Sequence, residues 1–94
     1  MTTLQERVDE ALSLLFRHVR GAPTVHFGDS RGRSSSIRES VHRLPADELE
    51  RQFRIIEAMA RHVPHTMIPR DRRRDLYDVG HEIRMEYWDR CRKG

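Results

Sequence analysis

Cysteine, lysine and tryptophan each occur once in this chain of 94 residues, and its apolar runs are only two or three residues long. Each scarcity excludes something. A lone Cys91 forms no internal disulfide, which removes the disulfide-stapled scaffolds of small secreted proteins. It also removes the paired cysteines of zinc ribbons and dithiol redox sites. No stretch approaches the roughly 18 apolar residues that span a bilayer. The opening MTTLQERVDE is polar and acidic, unlike a signal peptide with its basic start and apolar centre. A reducing, cytoplasmic setting without a membrane is the expectation. Arg90 and Arg92 beside Cys91 would favour its thiolate, although an inert cysteine at a helix end is the plainer reading.

Catalytic signatures are missing too. There is no phosphate-binding glycine loop, HExxH, GxSxG or CxxC, and so small a domain has little room for a water-excluded pocket. The expectation is a protein that is not an enzyme and needs no cofactor. A minor alternative would use His81 with Asp78 or Glu82 as acid and base. Six histidines invite a metal, but Pro64 separates His62 from His65 across a helix end. Asp78 and His81, three apart, find no second pair to complete a four-ligand site. No metal is expected, and the helix dipole accounts for His18 and His62 in last turns.

Abundance lies in charge. Asp, Glu, Lys and Arg make up 35% of the chain, which carries a net charge of +3, and all but one of its 18 basic residues are arginine. The surplus is concentrated in stretches 31–45 and 70–94. With 36% apolar residues, the core is thin, which makes a homodimer or a completing partner plausible.

The apolar pattern is helical and predicts a single all-α domain over 1–94, a small bundle of three to four helices with one long loop at about 21–35. Helix one is expected from Leu4 to Arg20, with Thr3 and Glu6 as a capping box and Leu4, Val8, Leu12, Leu15 and Val19 as its stripe. Leu14 falls on the far side, where it would extend a contact patch. Gly21 and Pro23 end this helix. Ser36 with Glu39 reads as a second capping box before a short helix at 37–43 carrying Ile37 and Val41, with Leu44 beyond. Pro45 suits the first position of a third helix reaching about His62, with Asp47 and Glu48 at its positive end. Leu49, Phe53, Ile56, Ala60 and Val63 form its stripe, widened by Ile55 and Met59. The fourth helix runs from Pro69 to about Arg92, apolar at Leu76, Val79, Gly80, Ile83 and Tyr87. Gly80 on the buried face suggests close approach of another helix, since glycine there costs roughly 1 kcal/mol relative to alanine.

Two features look like binding sites. Arg31, Gly32, Arg33, Ser34, Ser35 and Ser36 lead towards the expected helix start, where arginines, hydroxyls and unpaired N–H groups would suit an anion such as phosphate. Arg38 and Arg43 continue that charge. The plainer reading is a solvated linker whose last serine caps a helix. On the fourth helix, Tyr77, His81, Arg84 and Trp88 recur at spacings of four, three and four. They lie between the Arg72, Arg73 and Arg74 cluster and the basic C-terminal end. These residue types are enriched at interaction hot spots, and core packing of Tyr77 and Trp88 is the competing reading.

The preferred function is a non-catalytic interaction protein (an adaptor, inhibitor or regulator) that docks on a protein partner or on its own copy. The alternative is nucleic-acid binding, with phosphates contacted by Arg31 to Arg43 and by Arg70 to Arg74. Against it, the helix after Pro45 opens with Asp47, Glu48 and Glu50, which face phosphates unfavourably.

Overall fold

Thr3 starts the first helix as its position predicts. In the computed structural model, which describes residues 2–20 and 30–93 (side chains of 2–19 and 35–93), the Thr3 hydroxyl accepts the Glu6 backbone N–H at 3.2 Å. Helix α1 then spans Leu4–Leu15, and its apolar repeat buries Val8, Leu12 and Leu15. Leu4, expected on that face, is 49% exposed because it lies in the first turn. The single long helix anticipated to Arg20 is instead broken at Phe16. The Val19 N–H donates to the Phe16 carbonyl at 3.0 Å, a three-residue turn that separates α1 from the short α2 at Arg17–Arg20.

Residues 21–29 lie outside the described part, and with them most of the expected loop. Its last six residues belong to α3, Ser30–His42. The turn signal at Gly32 costs only about 1 kcal/mol inside a helix, and Ile37 and Val41, both buried, anchor α3 in the core. Ser36 therefore lies mid-helix and caps nothing. Pro45 stands just before α4, Ala46–His62, as an extended cap residue rather than in its first turn, and Asp47 and Glu48 occupy that turn. Pro69 likewise precedes a 3₁₀ turn, Arg70–Arg72, that runs into α5, Arg73–Lys93.

Helix α5 lies between α3 and α4. Arg38 meets Glu82 and His42 meets Glu86, so α3 and α5 run in the same direction. Phe53 meets Tyr87 and Glu57 meets Arg84, so α4 runs the opposite way. Helix α1 packs on α4 and α5, and α2 on α3 and α5. Val8, Leu12, Leu15, Ile37, Val41, Leu49, Ile56, Met59, Ile68, Val79 and Ile83 make one core. The Cα extents are 38 × 37 × 18 Å, a slab about two helices thick. Among the described residues, its central helix is covered by α1 and α2 on one side only. No strand occurs among the described residues, and none of their helices is long and apolar enough to cross a membrane.

Candidate functional site

The uncovered side of α5 is where the aromatic stripe emerges. At 100° per residue, Tyr77, His81, Arg84 and Trp88 fall within an arc of about 60°, opposite the buried Val79 and Ile83. Tyr77 is 73% exposed and its ring lies parallel to that of His81, with centroids 6.4 Å apart. Trp88 is 46% exposed and presents an edge to Phe53 at 6.5 Å, while Phe53 stacks on Tyr87 at 4.0 Å. The stripe is thus surface, backed by a layer of packed aromatic rings. Arg84 is fixed by its Nε–H donating to Glu57 Oε1 at 2.9 Å. One member was missed by sequence reasoning. Met85, 46% exposed, extends the same face, and its signal was available: it stands four residues after His81 and three before Trp88.

Beside the stripe a groove of about 400 Å³ opens between α4, the 3₁₀ turn at His65–Met67 and α5. Ile56, Ala60, Val63, Leu76 and Gly80 form its floor, while Tyr77, His81, Arg84, His65 and Arg73 surround it. A Cβ on Gly80 would meet Ile56 Cδ1 at 3.5 Å, an ordinary contact. The close approach expected at Gly80 is real, but a methyl group would fit. A second apolar groove of about 500 Å³ runs between α1 and α4, where Leu14 and Ile55 line it with Met59. Leu14 was expected on the far side of its helix, and Ile55 and Met59 as residues widening the stripe of theirs; all three line this groove. Met59 borders both grooves.

The arginine set disperses into structural contacts. The side chains of Arg31, Arg33 and Ser34 lie outside the described part. Ser35 is exposed and Ser36 half-buried along α3, so the unpaired N–H groups expected to converge at Ser36 are satisfied within the helix. The helix start expected at Ser36 lies instead at Ser30. Arg38 donates from Nε to Glu82 at 3.1 Å, and this hydrogen bond first, then the charge of Glu82, raises the guanidinium above its ordinary value. Arg72 lies 3.9 Å from Asp75 and 5.3 Å over the Phe16 ring. Arg73 donates to the carbonyls of Ile68 and His65 at 3.3 and 2.9 Å. Arg43 and Arg74 are exposed.

Sequence reasoning also missed a buried polar network. His18, 6% exposed, contacts Ser40 Oγ through Nδ1 at 2.7 Å and Gln52 Oε1 through Nε2 at 2.8 Å. Gln52 donates onward to Glu48 at 3.2 Å. Nε2 must therefore donate to the amide oxygen, leaving Nδ1 to accept the Ser40 hydroxyl when the ring is neutral. His18 ties α2 to α3 and α4, a different role from the dipole pairing expected of it. Nucleophile and base share this hydrogen-bond order in hydrolases, but here neither groove is lined by Ser40 or His18, and a neutral amide stands where a carboxylate would orient the base. At the far end of α3, Glu86 accepts from Arg90 and contacts His42, each at 2.9 Å. Burial opposes ionisation of Glu86, yet those bonds to Arg90 and His42 outweigh it and hold the carboxyl below its ordinary value.

His62 lines the α1–α4 groove and His65 the α4–α5 groove. Among the described residues no three His, Cys, Asp or Glu side chains gather as a metal site. Cys91 is exposed. No protein-family model matches the chain, and neither the curated proteins nor the solved structures contain a match to it.

Proposed function

We propose that this chain is a non-catalytic helical interaction module that docks on a protein partner through the uncovered side of α5, working in the cytoplasm. The observation that carries the reading is the exposure of Tyr77, Met85 and Trp88 on the central helix of the slab. A helix flanked by two others ordinarily buries its large apolar side chains. Here three stand in water on one face, with Arg84 held in place between them by Glu57. Preset aromatic anchors with an ordered arginine are what protein interfaces concentrate. The single free cysteine suits a reducing compartment.

A phosphate-binding reading draws on one fact. Helices α3 and α5 run parallel, so their arginine-rich starts share an end of the molecule. It is weakened by the pairing of Arg38 with Glu82 and of Arg72 with Asp75 within the fold.

Light scattering separates these readings. The mass of the protein is measured alone, with host extract fractions and with a generic duplex, at low and high salt. A complex or homodimer that survives salt and is lost in the double variant Tyr77→Ala, Met85→Ala supports docking through α5. A duplex complex that dissolves as salt rises, indifferent to that variant, overturns it.

A further inference from the structure

The groove between α4 and α5 differs from its neighbour in charge. Arg7, Glu10 and Arg51 flank the α1–α4 groove with both signs. Arg73, Arg84, His65 and His81 surround the α4–α5 groove, and no aspartate or glutamate lines it among the described residues. Arg73 is held by neutral carbonyl oxygens, which fix its guanidinium without neutralising it. Arg84 is paired through its Nε–H with Glu57, which offsets its charge but leaves the terminal nitrogens as donors. The floor is apolar and includes Gly80 and Ala60, the two smallest residues lining the groove.

From this juxtaposition we infer that the α4–α5 groove receives an acidic amphipathic helix of the partner. Its apolar ridge enters beside Gly80 and Ala60, and its carboxylates meet Arg73, Arg84 and His81. This deepens, and rests on, the docking reading above. An amphipathic helix suits an apolar groove between two helices, entering with i, i+3, i+4 and i+7 anchors, and donors with no carboxylate among the lining residues favour acidic flanking positions in its ligand. The stripe continues the same contact: Tyr77 and His81 belong to both the groove wall and the exposed face of α5. Ala60 is exposed at the groove, so a large side chain there obstructs the trough without entering the core.

The test is a displayed library of short amphipathic helices, apolar along one face and varied between Glu and Lys at the flanking positions, sorted against the full-length chain. The expected pool is rich in Glu and loses about tenfold or more in affinity for Ala60→Trp, while circular dichroism shows that variant to be folded. His81→Glu, at an exposed position, should shift the selected pool towards Lys. A pool with no acidic bias, or one that ignores Ala60→Trp but is lost in Tyr77→Ala with Met85→Ala, overturns the groove assignment and leaves docking through α5 standing. Failure of any peptide to bind overturns the groove assignment, while docking through α5 is decided by the light-scattering experiment.

Discussion

His18 shows how far one buried polar side chain reaches in this fold. Both its ring nitrogens are partnered, one by α3 and one by α4, with His18 6% and Gln52 3% exposed. Removing the ring strands the Gln52 oxygen and the Ser40 hydroxyl, and an unsatisfied buried group costs about 1–3 kcal/mol. His18→Ala should therefore lower unfolding free energy by about 2–3 kcal/mol, read from the urea midpoint at unchanged slope. A change within experimental scatter would mean that solvent reaches the site. Gly80 makes the opposite case. Room for a methyl group against Ile56 means that Gly80→Ala should recover helix propensity and stabilise the fold by up to about 1 kcal/mol. A clear loss in thermal midpoint would show the α4–α5 contact to be tighter than 3.5 Å suggests.

At the scale of the element, α3 is secured to α5 by a ladder of polar contacts along their shared direction. Arg38 meets Glu82, His42 meets Glu86, and Arg90 donates both to Glu86 and to the His42 carbonyl, occupying an acceptor at the end of α3. The Glu86 carboxyl ionises more readily in the folded chain than in the unfolded one. Its contribution is present above the ordinary carboxylate range and is lost as pH falls through the folded value. Denaturant titrations should show stability declining on that acid side. Glu86→Gln should be less stable near neutrality and should flatten part of the decline. If the two pH profiles run parallel, Glu86 is not responsible. Helix α3 extends to Ser30 despite Gly32 and its serines while its Ile37 and Val41 are buried in the core. A helix docked along α5 tolerates residues that would end an isolated one.

For the molecule as a whole, the slab geometry decides what is available to a partner. One layer of α3, α5 and α4 carries α1 and α2 on a single side, and the other side keeps Tyr77, Met85 and Trp88 in water. Trp88 is the only tryptophan in the chain, so its fluorescence reports on that face alone. In the free protein, acrylamide should quench it readily. In complex with a peptide or partner bound on α5, quenching should fall and the emission maximum should move to shorter wavelength. Binding that leaves both unchanged would place the partner elsewhere, with the α1–α4 groove the next surface to probe.

Much of this was legible in residue spacing. The all-α class, the boundaries of α4 and the core positions Val8, Leu12, Leu15, Ile37, Val41, Leu49, Ile56, Val79 and Ile83 follow from local periodicity and from proline and cap positions, because a helix buries whatever repeats along one face. That Tyr77, His81, Arg84 and Trp88 share a side follows from the same geometry. What lies against each face depends on residues distant along the chain, and periodicity carries no such information. Only the tertiary structure decided that α5 is covered on one side and that Met85 joins the exposed stripe. It alone paired Arg38 with Glu82 over 44 positions, placed His18 between α3 and α4, and opened beside Gly80 a groove whose rim is basic. Polar side chains have no period of their own, so their partners are chosen when helices dock.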